Sequence, residues 1–353
     1  MSLLSVEELQ KRYPVGRSRL LHAVDGVSFE IGAGESLGLV GESGCGKSTL
    51  VRLITRLIDP SGGRIVFDGV DIGAIPAARF GRSPQRGEIQ VVFQDPHDSL
   101  NPRFTAFEAI ADPLRRIQKL RGQALRTRVE TVAGEVGLPG ELLSRYPHQL
   151  SGGQKARVNI GRALAVNPRL LILDEPTSAL DVSVQAVILK LLDRLRRDHG
   201  IGYLFVSHDL NVVRLLCDRV LVMYLGKLAE VGEAGAVFEQ PRHPYTQALI
   251  SAIPSYDPDA RRERLRLDGE PRSPIDPAPT VCRFHGRCFR GDQRCAEEAP
   301  VLRETDPGHW AACHYAGGEP RVVFSKADAG AEPVVAAPAP GVVADPGATR
   351  AGR

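Results

Sequence analysis

No stretch of this 353-residue sequence is apolar for anything near the ~20 residues that a helix needs to cross a bilayer. Charge of one sign is equally lacking. Lys and Arg number 45 against 42 Asp and Glu, a formal +3, which offers no basis for bulk binding of nucleic acid. The opening residues, MSLLSVEELQKRYPVG, have no apolar core and carry Glu7 and Glu8, which excludes a secretory signal. The expected location is therefore the cytosol, or a membrane reached only through partners. Cysteine is scarce, six in all, and disulfides are not expected in a reducing compartment. Cys45 and Cys217 stand alone, whereas Cys282, Cys288, Cys295 and Cys313 crowd one C-terminal stretch. What is present, 42% hydrophobic and 25% charged residues, suits a globular chain with a large core. The length suits two or three structural units.

Up to about residue 252, β-branched runs alternate with helical patterns. Strands are predicted at Ala23–Ile31, Glu35–Val40, Ile89–Phe93, Leu170–Leu173, Gly202–Val206 and Val220–Tyr224. A strand pair turning at Asp68-Gly69 is predicted within Arg64–Ile72. Leu180, Val184, Val187, Ile188, Leu191, Leu192 and Leu195 keep to one helical face. The Ala-, Leu-, Glu- and Arg-rich stretch from Thr105 to Tyr146 lacks β-branched runs and predicts a helical subdomain, placed at about residues 95–165. The alternation implies an α/β fold with a mainly parallel sheet covered on both faces. Pro254–Pro279 reads as a linker into a Cys-rich unit. Residues 1–252, 253–316 and a disordered Ala/Pro/Gly tail at 317–353 form the expected division.

GESGCGKS, Gly41–Ser48, fits G-x-x-x-x-G-K-[ST] between a buried strand and a helical run. Across Gly41, Glu42, Ser43, Gly44, Cys45 and Gly46 the backbone N–H groups are expected to point inward at phosphate oxygens. The following helix N-terminus adds positive partial charge. Lys47 reaches the β- and γ-phosphates in this reading, Ser48 takes a position on Mg²⁺, and Thr49 supplies a donor for the α-phosphate. LLILDEP brings Asp174 to the carboxyl edge of the sheet to orient Mg²⁺, and Glu175 follows as a general base for the attacking water.

LSGGQ, Leu150–Gln154, lies between these two elements and opens a helical run. With it, the stretch from about Val24 to Val231 resembles the ATP-binding cassette family. The resemblance implies a P-loop NTPase cassette: a RecA-like core, an antiparallel β arm and a helical subdomain. It further implies that Ser151 and Gly153 contact ATP held by a partner cassette. Gln94, in VVFQDP, resembles the glutamine that senses Mg²⁺ and the attacking water. SALD, Ser178–Asp181, resembles the loop crossing the dimer interface. His208, 34 residues after Asp174, resembles the histidine that contacts the γ-phosphate. Tyr13 matches the aromatic residue that stacks on adenine. With Lys47, Asp174, Glu175, Gln94 and His208 all present, an active ATPase is expected.

FQDPHDSLNPRF, Phe93–Phe104, and HPYTQALISAIP, His243–Pro254, are similar to segments of oligopeptide/dipeptide (peptide/nickel) permease ATPases. That resemblance implies a peptide importer. Its parts would be a second, related cassette (a heterodimer), two transmembrane permease subunits and an external solute-binding protein, with this chain peripheral on the cytoplasmic face of the inner membrane. A soluble ABC ATPase acting on nucleic acid or ribosomes is the alternative, which co-purification with RNA or DNA would favour. The four clustered cysteines are separated by five, six and seventeen residues. Four thiolates suit either Zn²⁺ or an iron–sulfur cluster, and no C-x₂₋₄-C knuckle of the usual zinc kind occurs. Permease extensions of this type are associated with a [4Fe–4S] cluster, which the resemblance therefore implies.

Overall fold

The computed structural model describes residues 2–94, 99–253, 265–267 and 269–316. Among the described residues, twelve strands build two sheets: β1 (Ser2–Val15), β2 (Arg19–Gly32), β3 (Ser36–Val40), β4 (Gly62–Phe67), β5 (Val70–Asp71), β6 (Ile89–Val92), β7 (Leu170–Asp174), β8 (Gly202–Val206), β9 (Arg219–Tyr224), β10 (Lys227–Glu233), β11 (Arg303–Asp306) and β12 (His309–Ala311). The smaller sheet is antiparallel in the order β2-β1-β4-β5. The larger runs β11-β12-β10-β9-β3-β8-β7-β6. It is parallel from β9 through β3, β8 and β7 to β6, and antiparallel beyond β9.

Alternation along the buried strands feeds two cores. Leu170 and Ile172 of β7 join Leu37, Leu39, Leu204 and Val206 in the core beneath the antiparallel sheet. Leu171 and Leu173 turn to the other face, with Val40, Tyr203 and Phe205, beneath the helices. Side chains successive in a strand point to opposite faces, so a strand buried on both reads as a continuous apolar run. Each such Leu or Ile contributes about 1.5–3 kcal/mol by leaving water.

The predicted strands are all present, and the turn at Asp68-Gly69 joins β4 to β5 with both residues at positive φ, 49° and 79°. Helices Ala106–Arg116 and Gly122–Glu135 occupy the stretch read as helical, and no strand interrupts it. Helix Val182–His199 buries Ile188, Leu191, Leu192 and Leu195 as expected. Val187, expected on the same face, is instead exposed at 49%, because the buried face is rotated toward Leu189, which is buried in its place.

Three parts of the reading change. Residues 2–15, where the sequence pattern predicts no element, form β1, the strand between β2 and β4. A bulge explains the omission. Leu4 and Val6 keep strand alternation, but the register shifts between Val6 and Leu9, where Glu8 adopts φ 43°, and this turns Leu9 back into the core. The Cys-rich unit is not set apart, since β12 pairs with β10 (Glu230↔Ala311, Val231↔Trp310) and so lengthens the core sheet. The linker, finally, is tied down where it is described. Leu20 N–H donates to the Asp276 carboxylate and His22 N–H to the Pro274 carbonyl, both at 2.9 Å. The remainder of that linker from 254 to 264, residue 268 and the tail from 317 lie outside the described residues.

Candidate nucleotide site

The loop expected to bind phosphate leaves the carboxyl end of β3 and enters helix Lys47–Ile54. Two of its glycines are obligatory. A Cβ on Gly41, at φ 152°, would lie 2.2 Å from the Met223 carbonyl, and one on Gly46, at φ 111°, 2.2 Å from the Ala23 carbonyl. Only glycine permits both the backbone twist and these approaches. No side chain caps the helix and its first turn holds no acid, so its first N–H groups are left open to an anion. The Lys47 ammonium bonds the carbonyls of Gly41 at 2.6 Å and Glu42 at 3.0 Å. Cys45 is buried, and burial pushes its thiol up, in keeping with a small packing residue.

Asp174 ends β7 and Glu175 follows it. Burial first, then the neighbouring Glu175 charge, raises the Asp174 carboxyl above its usual range against the pull of Lys47 and Arg52. A divalent cation here would offset that cost, so the donor set fits Mg²⁺, with Ser48 and Gln94 lining the same cavity. Glu175 sits at φ 47°, a left-handed conformation that costs a non-glycine residue about 1–3 kcal/mol and clusters at functional sites. Its carboxylate accepts from Gln94 Nε2 at 2.8 Å and lies 3.1 Å from His208 Nδ1.

A cavity of about 510 Å³ gathers Tyr13, Lys47, Ser48, Thr49, Gln94, Asp174, Glu175 and His208. Residues scattered over nearly 200 positions thus share one space, because β3, β7 and β8 are adjacent and all end at the same edge. A wider groove of about 1240 Å³ also begins at Ser48, Gln94 and Asp174 and runs to Asp112, Arg116 and Lys119 of the helical subdomain.

Ser151 and Gly153 are not among the residues lining the phosphate cavity. They open helix Gly152–Leu164, where Ser151 Oγ accepts from the Gln154 N–H and Gln154 Oε1 from the Ser151 N–H. A Cβ on Gly153 would lie 2.7 Å from Val184 Cγ1, which explains the small residue there.

Sequence reasoning missed several partners. His22, Leu21, Leu225 and Pro274 also line the cavity, Pro274 being delivered by the stretch read as linker. Glu42 is gripped by Arg287 at 2.8 and 3.0 Å, and its N–H donates to the Tyr245 hydroxyl at 2.7 Å. Separations of more than 200 residues leave no local pattern from which such contacts could be read.

The four clustered thiols lie near one another. Cys288 is pushed up to about 12, by burial first and then by Cys313, Cys282 and Cys295. Backbone N–H groups of Arg290 and Tyr315 donate to the Cys288 and Cys313 sulfurs, each at 3.4 Å. Among the described residues, however, no three His, Cys, Asp or Glu side chains converge as a single metal ion requires. Neither the expected [4Fe–4S] cluster nor the zinc alternative gains support from that lack of convergence.

Comparison with known proteins agrees with this geometry. The family description for ABC transporters matches residues 24–178, and that for the oligopeptide/dipeptide transporter C-terminal region matches residues 229–295. The oligopeptide transport ATP-binding protein AppF of Bacillus subtilis is 44% identical over 322 residues, covering 89% of this chain and 97% of AppF. A Brucella ovis protein named as a peptide import ATP-binding protein is 47% identical over 312 residues, covering 88% and 97%. Among solved structures, the ATP-binding cassette MJ0796 bound to ADP and Pi in a dimeric post-hydrolysis state is similar at TM-score 0.60. It is 30% identical and covers 65% of this chain and 98% of that one. CbiO1 of Clostridium perfringens, part of the CbiONQ transporter complex, is similar at TM-score 0.59 and 34% identity, covering 68% and 91%. Phosphate loop, paired acids and C-terminal region together place the chain in the ABC transporter family, as an ATP-binding, ATPase subunit of the oligopeptide/dipeptide branch.

Proposed function

We propose that this chain powers a peptide importer as one of two cassettes that close around ATP. The observation that carries this reading is a single cavity in which Gln94 and His208 both reach Glu175 beside Lys47, in a chain whose C-terminal region is of the oligopeptide/dipeptide type. Lys47 holds the β- and γ-phosphates, the loop N–H groups of residues 41–46 cradle them, and Tyr13 stacks on adenine. Glu175 accepts the proton of the attacking water, with Gln94 and His208 aligning it. Ser48, Asp174 and Gln94 would hold Mg²⁺, which when bound would supply charge neutralisation at the phosphates.

Ser151 and Gly153 serve the ATP of the partner cassette. Their exclusion from this chain's own cavity supports that division of labour. ATP favours the closed pair because only there does it meet both halves of its site, which is what lets binding shift the equilibrium. The groove leading from Gln94 to the helical subdomain passes closure to two membrane-embedded permease subunits, and an external solute-binding protein delivers the peptide. Among the described residues no helix is long and apolar enough to cross a membrane. In this reading the subunit sits peripherally on the cytoplasmic face of the inner membrane, docked on the permease subunits.

Cys282, Cys288, Cys295 and Cys313 would hold a [4Fe–4S] cluster. When bound, it would cross-link the C-terminal region through four iron–thiolate bonds. The proximity of the four sulfurs and the N–H donors on two of them are what support this reading. Anaerobically purified protein is then brown, with absorbance near ~400 nm. Stoichiometric zinc in colourless protein contradicts this.

Reconstitution tests the transport role. Proteoliposomes holding this chain, its partner cassette and both permease subunits should take up a labelled peptide only with MgATP and binding protein. Uptake that persists with Lys47→Ala in this chain and the partner's ATP site disabled contradicts the role.

A further inference from the structure

The phosphate loop is held from the far end of the chain. Glu42, its second residue, donates its N–H to the Tyr245 hydroxyl at 2.7 Å. Its carboxylate accepts a two-pronged grip from Arg287, Nη1 to Oε2 at 2.8 Å and Nη2 to Oε1 at 3.0 Å. The Arg287 side chain is only 10% exposed. Its Nη1 also donates to the Tyr224 hydroxyl at 3.2 Å, and its guanidinium lies over the Tyr224 ring, 5.9 Å from the centroid. Phe284 closes the arrangement, packing against Tyr224, Tyr245 and His243 at ring separations of 5.2, 5.5 and 5.7 Å. Arg287 and Phe284 both belong to the stretch between Cys282 and Cys288, so the grip originates among the clustered cysteines.

This placement has an electrostatic consequence. Glu42 puts a carboxylate on the loop that must receive a triphosphate, and the Glu42 carbonyl itself bonds the Lys47 ammonium at 3.0 Å. A free carboxylate there would repel the nucleotide and compete for Lys47. A planar guanidinium bonded through two parallel N–H···O contacts cancels that charge and fixes the side chain at once, which a lysine cannot do.

We propose that Arg287 is a positioning residue for nucleotide binding: by pairing with Glu42 it neutralises and orders the phosphate loop, so that the Cys-rich C-terminal region sets the affinity of the ATP site. It acts through Glu42 and does not touch the reacting atoms. The inference rests on the loop being the ATP phosphate site.

The test compares three variants with the wild type, read by binding of a fluorescent ATP analogue and by Pi release from the assembled transporter. Arg287→Met should raise the nucleotide Kd by about tenfold or more, with KM following and kcat changing little. Arg287→Lys should fall between it and the wild type. In Arg287→Met/Glu42→Gln, removal of the now unpaired carboxylate should recover most of the lost affinity, and the effect should shrink from ATP to ADP to AMP. If Arg287 merely props the fold, the double variant stays as weak as Arg287→Met and both unfold at lower temperature, which overturns the proposal. Unchanged affinity in Arg287→Met overturns it as well. Failure of the wild type to bind the analogue at all would instead remove the ATP-site reading beneath it.

Discussion

Gln94 Nε2 donates to Glu175 Oε2 at 2.8 Å, joining the end of β6 to the acid after β7. His208 approaches the same oxygen from beyond β8 at 3.1 Å. Glu175 is thus fixed by segments from three strands, although its own backbone is in a left-handed conformation. As the proposed base, it should tolerate no loss of basicity. Glu175→Gln is expected to bind MgATP normally while single-turnover hydrolysis drops by about 10²–10⁴-fold. Filter binding and Pi release from the same preparation separate the two effects.

A second expectation concerns acid. Burial lowers the His243 imidazole to about 4, and its Nδ1 accepts the Tyr245 N–H at 3.0 Å, so the ring is neutral in the folded chain. The unfolded chain protonates near 6.5, so the folded state binds fewer protons between these values. His243 therefore contributes nothing to pH dependence above about 6.5 and costs stability as pH falls from there toward 4. Urea midpoints at pH 7.5 and 5.0 should show a smaller loss in His243→Asn, which keeps an acceptor but does not titrate. Equal losses in both proteins contradict this.

Glu230 is fully buried and accepts the N–H groups of Arg242 and His243 at 2.6 and 2.8 Å, while His309 Nε2 lies 2.7 Å from it. One carboxylate thereby joins the His-Pro-Tyr segment to β12. Glu230→Ala strands all three donors and should cost about 3–5 kcal/mol in equilibrium unfolding, since the partners of a buried charge lose both pairing and water.

Gly153 offers a packing test. An alanine Cβ would fall 2.7 Å from Val184 Cγ1. Gly153→Ala should destabilise by about 1–3 kcal/mol, and adding Val184→Ala should recover part of that loss because the two sites share the clash. Additive losses in thermal unfolding would show that the contact is not responsible.

The sheet core was legible because buried parallel strands such as Leu170–Leu173 are continuous apolar runs, and the phosphate loop because its glycines are demanded by geometry at known spacing. The acids and His208 followed, since each ends a readable strand. β1 was not legible, because the bulge at Glu8 breaks the alternation that would have announced it. Nor was the docking of the C-terminal region. β12 on β10, Arg287 on Glu42 and Pro274 beside the nucleotide cavity depend on long-range closure, which leaves no periodic trace in sequence. Val187 went astray because the helix, flanked by apolar residues on both sides of Ile188, packs with its face turned toward Leu189.

The most direct test uses the assembled transporter with the second cassette carrying a Glu→Gln change at its own base, so that turnover depends on this chain. Pi release should continue with wild-type Glu175 and fall by about 10²-fold or more with Glu175→Gln, bound ATP being retained. Hydrolysis that is equal in the two preparations would contradict the assignment of this site as an ATP-hydrolysing centre.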